Sequence, residues 1–187
     1  MIDKIEYWDT LLLLLLNGTG NEWVDMLMYW ISNKLTWIPF YAILLGYLYK
    51  LYGWKKLGVL ILFIAVLITI TDQGSVFIKN QIGRYRPCHN FDIKDQVQLV
   101  YDYCGGKYGF ISSHAANTFG IAVLMGKLFA GRIKWVMAIM LGWAGVVSYS
   151  RIYLGVHYPA DVLCGALFGA FFGYFAFLFF NISKPKL

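Results

Sequence analysis

The sequence predicts an all-α fold: a polytopic membrane bundle of five transmembrane helices, or six, preceded by short N-terminal amphipathic helices. Three observations carry this. Hydrophobic residues make up 59% of the 187-residue chain and charged residues only 14%, against roughly 45–50% and about 25% in soluble domains. The apolar residues come in long blocks. LGVLILFIAVLITIT (57–71) has no charge, and ADVLCGALFGAFFGYFAFLFFN (160–181) has only an aspartate near its start. A helix needs about 20 mostly apolar residues to cross a bilayer.

Taken in order, residues 4–16 and 22–33 predict two short helices joined by NGTGN, a turn cluster. Trp23, Leu27, Trp30 and Ile31 recur at helical spacing. Aromatics and acids share these segments, which suits the bilayer interface. The rival reading is a sixth span near 8–30. The leucine run 11–16 follows Asp3, Glu6 and Asp9 rather than basic residues, so no cleavable signal is expected. The spans are then 36–52, 57–78, 113–131, 133–150 and 158–181. The chain divides into an interfacial part, 1–35, and a transmembrane core, 36–187, with the polar loop 79–112 facing outward. Gly165, Gly169 and Gly173 form a small-xxx-small stripe, which predicts close helix packing. Cys164, in the last span, is expected to be a packed thiol.

The net charge of +6 is sorted by side. The short loops 50–56 and 127–134 and the C-terminus hold Lys50, Lys55, Lys56, Lys127, Arg132, Lys134, Lys184 and Lys186, and no acid. The other half of the 16 Lys and Arg share their side with the acids. Density in short loops decides orientation, so the basic loops are placed in the cytoplasm. No basic stripe is interleaved with stacking aromatics on a soluble surface, which argues against nucleic acid as a partner.

Three polar stretches then reach the same outer face: KNQIGRYRP (79–87), GFISSHAAN (109–117) and SRIYLGVHYPAD (150–161). They bring together Lys79, Arg84, Arg86, Ser112, Ser113, His114, Arg151, His157 and Asp161. Guanidinium forks and an ammonium invite a multiply charged oxyanion such as phosphate. Ser112 and Ser113 precede an apolar helical run, where free backbone N–H groups bind anions. Two histidines offer a nucleophile and an acid. His157 and Asp161, four apart, share one helical face, so the carboxylate can fix one ring nitrogen and leave the other free to attack. Taken singly, each residue has a bland reading: a snorkelling Arg, a structural His, a capping Ser. Their convergence on one face favours function. Asp72 shares a helical face with Lys79 and either balances it through an intermediate group or bonds a neighbouring helix. Cys88 and Cys104 flank the polar loop and are either bridged, if the loop faces an oxidising compartment, or free.

These stretches resemble the type-2 phosphatidic acid phosphatases, relatives of the vanadium haloperoxidases and bacterial acid phosphatases. Lys79, Arg86 and Pro87 match the first motif, K-x6-R-P. Ser150, Arg151, His157 and Asp161 match the third, S-R-x5-H-x3-D. The second, P-S-G-H, is matched by Ser112 and His114, with Ile111 in place of the proline and Ser113 in place of the glycine. The resemblance implies that His157 is the nucleophile, forming a phosphohistidine, and that Asp161 orients it. His114 would protonate the leaving oxygen and then activate water. Lys79, Arg86, Ser112 and Arg151 would hold the phosphate, with the Ser113 N–H in the glycine's place. If that place needs a positive φ, serine is strained there. Arg84 is either a contact to a second phosphate or a solvated loop charge. The resemblance implies no metal, and the chain has no carboxylate or His/Cys cluster with metal-ligand spacing, so no metal or cofactor is expected.

The function expected is that of an integral membrane lipid phosphatase, placed in the bacterial inner membrane with its site on the periplasmic face. It would act on undecaprenyl diphosphate, phosphatidylglycerol phosphate, phosphatidic acid or lipid A phosphate, with the bilayer as its setting and no obligatory protein partner. A lipid-phosphate binding or transport protein and a lipid phosphotransferase are the alternatives on the same scaffold.

Overall fold

The computed structural model describes residues 2–18 and 20–183. It holds six α-helices: α1 (Ile2–Leu16), α2 (Glu22–Ser32), α3 (Ile38–Ile82), α4 (Ser113–Phe129), α5 (Val136–Tyr153) and α6 (Pro159–Ser183). Among the described residues the only β pairing is an isolated bridge between Tyr85 and Tyr108.

α3 leaves helical geometry at Gly53, whose φ of 68° and ψ of 172° suit a residue without a Cβ. The chain reverses there. Leu44 and Leu45 of the arm 38–52 line one cavity with Ile64 and Ile68 of the arm 54–82. A straight helix would hold positions 44 and 64 about 30 Å apart. The two arms correspond to the first two expected spans. Among the described residues, three helical segments are long and apolar enough to cross a membrane: Lys34–Ile82, which contains both arms, Val136–Tyr153 and Pro159–Ser183. α4, with 17 residues, is about 26 Å long and packs against α3, α5 and α6. Leu48, Leu60, Leu124 and Phe180, none with exposed surface, meet in the shared core. Apolar side chains such as Leu62, Phe77, Leu163, Leu167 and Phe171 point outward instead, as lipid-facing residues do.

A sixth span across 8–30 does not form. α1 ends at Leu16, and Asn17 turns the chain by giving its side-chain amide to the carbonyls of Gln98 and Tyr153. Asn21 then caps α2, accepting from the N–H groups of Trp23 and Val24. Trp8, Trp23 and Trp30 stay exposed on these two helices. Cys164 is half-buried.

The loop after α3 begins at Gly83, a left-handed C-cap with φ 67°, and runs through short 3-10 turns. Cys88 and Cys104 are joined, their Cα atoms 6.0 Å apart. The bridge holds the loop segments around Arg86 and Gly105 together. A Cβ on Gly105 would lie 3.6 Å from the Arg86 guanidinium carbon. Closing a loop of this size removes about 3 kcal/mol of unfolded-state entropy. The double variant Cys88→Ser/Cys104→Ser is therefore expected to lose up to about 3 kcal/mol of stability, read from thermal unfolding in detergent. Mass analysis without reductant should show the wild-type thiols joined, and two free thiols would contradict the bridge. Lys50, Lys55, Lys56 and Arg132 gather at the other end of the bundle, where the Arg132 guanidinium lies 5.9 Å from the Tyr52 ring. Lys184 and Lys186 lie outside the described residues.

Candidate active site

Each expected motif ends up at the loop-bearing end of the bundle because each lies at a helix terminus there. α3 delivers Lys79 in its last turn, and the loop after it carries Arg84 and Arg86. α4 opens with Ser112 as N-cap. α5 closes on Arg151, a turn presents His157, and α6 carries Asp161 in its first turn. Gly155 makes that turn at φ 72°. A Cβ there would strike Val97 and the Gln98 carbonyl.

His157 lies at the centre, 1% exposed. Its Nδ1 is 3.3 Å from Asp161 Oδ2, and its Nε2 is 3.3 Å from an Arg86 guanidinium nitrogen. A carboxylate accepts and a guanidinium donates, so these partners assign the proton to Nδ1 and the lone pair to Nε2. Arg86 also donates to the Val156 carbonyl at 3.2 Å. Arg151, 4% exposed, donates to the Ser32 hydroxyl. The Nε groups of Arg86 and Arg151 are buried without a hydrogen-bond partner among the described residues. Burial, and then the positive charges of Arg86, Arg151 and Lys79, hold the His157 imidazole well below its ordinary pKa of 6.5. It is therefore neutral, as a nucleophile must be. In the substrate-free protein, ¹⁵N spectra of labelled histidine should show a neutral His157 ring from pH 7.5 down past 6.5. An imidazolium already formed at pH 6.5 would contradict this geometry.

Asp161 is fully buried. Besides His157, its Oδ2 accepts the Tyr158 N–H at 3.0 Å, and its Oδ1 accepts from Arg84 at 2.9 Å. Arg84 also pairs with Asp9 at 2.8 Å and stacks over the Tyr158 ring at 3.9 Å. This corrects both readings of Arg84. Both ends of its fork are committed to carboxylates, so it is neither a free phosphate contact nor a solvated charge.

The second motif departs from expectation in an instructive way. Ser112 is fully buried. Its hydroxyl accepts the Ala115 N–H at 3.5 Å and its N–H donates to the Asp161 carbonyl at 2.9 Å, tying the start of α4 to the start of α6. Ser113 is the first residue of α4 and does not have a positive φ, so serine is unstrained there. The Ser113 N–H lies in the first turn, where helical N–H groups have no intrahelical partner. Its hydroxyl accepts from Lys79 Nζ at 2.5 Å and lies 2.6 Å from the Ser75 hydroxyl. Ser75 was the missed member. Its signal was a polar side chain one helical turn before Lys79, inside an apolar run. Asp72 does not reach Lys79 directly. Its carboxylate faces Asn117 of α4 at 3.5 Å, the helix-bonding alternative.

His114 lines two adjoining cavities that also share Ser32 and Lys34. One, about 350 Å³, runs between the arms of α3 and α4 past Tyr41, Leu44, Leu48, Ile68 and Met125. The other, about 500 Å³, is edged by Tyr29, Asn33, Tyr103 and Arg151. An apolar slot and a wider cavity edged by several polar side chains thus meet at a histidine, beside the buried Arg151 guanidinium. Such a site can hold an amphiphile's tail and its anionic headgroup at once. Ser32, Lys34 and Tyr103 are further residues that sequence reasoning missed. They belong to no motif and come from segments distant in the chain. Cys88, His89 and Cys104 lie within 4.8 Å of one another, but a joined pair of sulfurs offers no thiolate to a metal.

The chain is similar to known proteins in sequence and in fold. The sequence profile described as PAP2 superfamily matches residues 56–185. A protein of Bacteroides thetaiotaomicron named lipid A 4'-phosphatase is 39% identical over 185 residues, covering 98% of this chain and 80% of its own. A Porphyromonas gingivalis protein of the same name is 35% identical over 176 residues, covering 94% and 74%. In fold, the chain is similar to the crystal structure of the first transmembrane PAP2 type phosphatidylglycerolphosphate phosphatase from Bacillus subtilis. The TM-score is 0.74 at 18% identity, over 98% of this chain and 90% of that one.

Proposed function

The chain belongs to the PAP2 superfamily, and from that premise we propose that this integral membrane lipid phosphatase removes a phosphate from lipid A, acting through a phosphohistidine at His157. The observation that carries the chemistry is the His157 ring itself, neutral and held between Asp161 on Nδ1 and Arg86 on Nε2. The identity to the two lipid A 4'-phosphatases supports the choice of lipid. So does the cavity of about 500 Å³ edged by Asn33, Tyr103 and Arg151, which is wider than a lone phosphate needs and leaves room for a sugar.

In this reading the His157 Nε2 lone pair attacks phosphorus as the bond from phosphorus to the lipid oxygen breaks. His114, as an imidazolium beside the bound phosphate dianion, gives that oxygen its proton and becomes neutral. Water then attacks the phosphohistidine, His114 takes the water's proton, and inorganic phosphate leaves with His157 neutral again. Arg86 and Arg151 bind the charge that gathers on the phosphoryl oxygens, and Lys79, with the first N–H groups of α4, completes the cradle. Ser112 supports it from behind as the cap of α4. The apolar slot takes an acyl chain. Every side chain in the scheme comes from one chain, so catalysis is expected without a partner protein.

The proposed setting is the bacterial inner membrane, with the site on the periplasmic face and α1 and α2 lying in the interface. The disulfide beside the site supports an oxidising compartment, and the short basic loops at the far end support a cytoplasmic one there. The test is phosphate release by detergent-purified protein from lipid A, undecaprenyl diphosphate, phosphatidylglycerol phosphate and phosphatidic acid. Lipid A is expected to be turned over fastest, with one phosphate lost from the sugar. Equal rates on phosphatidic acid would overturn the choice of lipid.

A further inference from the structure

We propose that Asp9 and Arg84 are positioning residues for the nucleophile, forming with Asp161 an ion-pair relay that runs from the N-terminal helix α1 to His157. The proposal rests on the reading of His157 as nucleophile. Arg84 falls at a variable position of the first signature motif, and Asp9 lies outside all three.

The geometry is continuous. Asp9, 8% exposed, accepts from Arg84 at 2.8 Å through one oxygen and from the Ala160 N–H at 2.8 Å through the other. Ala160 is the second residue of α6, so Asp9 satisfies one of that helix's free N–H groups from another helix. It also places negative charge at the helix's positive end. Arg84 then donates through its other nitrogen to Asp161 Oδ1 at 2.9 Å, and Asp161 Oδ2 faces His157 Nδ1. The Tyr158 ring beneath Arg84 is itself tethered, its hydroxyl accepting from Asn90 at 2.9 Å.

The physical need is clear from burial. Asp161 has no exposed surface, and an unpaired buried carboxylate is costly. Its Oδ2 is occupied by His157 and the Tyr158 N–H, so Oδ1 must find its partner elsewhere, and Arg84 is that partner. Asp9 in turn offsets the Arg84 charge and fixes the fork in a two-sided grip, which a lysine's single ammonium does not reproduce. Gly109 closes the pocket. A Cβ there would lie 2.8 Å from Asp161 Oδ2, so Asp161 has one place to sit.

Asp9→Asn separates the two duties of Asp9, since its amide oxygen still accepts the Ala160 N–H while the negative charge facing Arg84 is lost. Asp9→Asn is expected to lower kcat about tenfold and Arg84→Ala about 100-fold, the range seen when an orienting partner is removed, with KM within about threefold of wild type. Arg84→Lys should recover only part of the loss. Melting temperatures in detergent and ¹⁵N histidine spectra accompany the kinetics. The Nδ1-protonated form of His157 should give way to a tautomer mixture in Arg84→Ala and, less so, in Asp9→Asn. Wild-type kcat in Asp9→Asn and Arg84→Lys, together with an unchanged tautomer, would overturn the relay even if Arg84→Ala does not fold. If His157→Ala is inactive in the same assay, the nucleophile reading survives that result. If the wild-type protein releases no phosphate from any lipid, the functional reading fails and the tautomer spectra alone decide the relay.

Discussion

His157→Ala is expected to abolish phosphate release, by a factor on the order of 10⁴ or more, as loss of a covalent nucleophile does in other hydrolases. The size follows from the absence of a substitute. Nε2 is the ring atom beside Arg86, and alanine leaves a hole between Arg86 and Asp161 with no ring lone pair to attack phosphorus. Water entering that hole would lack the base that Asp161 and the imidazole provide together. Protein denatured in alkaline SDS, which preserves the acid-labile phosphohistidine, after incubation with ³²P-labelled lipid should carry label in the wild type and none in the variant. His114→Ala should fall by about 10²- to 10⁴-fold, the usual worth of a general acid. If His157→Ala keeps activity within about tenfold of wild type, water attacks directly and the phosphohistidine scheme is wrong.

Gly169→Val is expected to prevent the bundle from closing. α6 lies on α4 through Gly165, Gly169 and Gly173, and a Cβ at these positions would collide with the carbonyl oxygens of Ser112, Ala116 and Gly120 respectively. These are backbone atoms in a helix and cannot rotate away, so the helices must separate. Overpacking costs about 1–3 kcal/mol when side chains yield, and here none can, so a loss of roughly 3 kcal/mol or more is expected, read as a lower melting temperature or loss of monodisperse protein in detergent. The site is affected as well, because the Ser112 N–H bonds the Asp161 carbonyl across this contact. Gly142→Ala and Gly145→Ala are the controls. No atom lies within 4 Å of a Cβ at either position, and both should behave as wild type. A Gly169→Val protein with unchanged stability would mean that α4 and α6 do not meet as described.

The glycine stripe was legible in advance because its period of four is a one-dimensional pattern. The same holds for the His157 and Asp161 pair, one helical turn apart, and for Lys79, Arg86, Ser112, His114 and Arg151, which sit where apolar runs end. Ser75, Ser32, Lys34 and Asp9 were not legible. Ser75 looks like a tolerated polar residue in a span, and Asp9 like an interfacial acid. Nothing local says that Asp9 faces Arg84, 75 positions away. Arg84 shows the limit most plainly. A cation two residues from an arginine expected to bind phosphate invites a second phosphate contact, but two carboxylates from different helices claim its fork.

Composition, hydropathy and motif spacing were enough to establish that this chain is a membrane bundle and to gather its polar motifs at one end. Those properties depend on residue type and local period, and a bilayer enforces them one helix at a time. The partner of each buried charge was decided only when the helices packed. Inside a low-dielectric interior every ion must be matched by the nearest opposite charge, and nearness there is set by the α4–α6 contact, the turn at Gly155 and the docking of α1, none of which follows from distance along the chain.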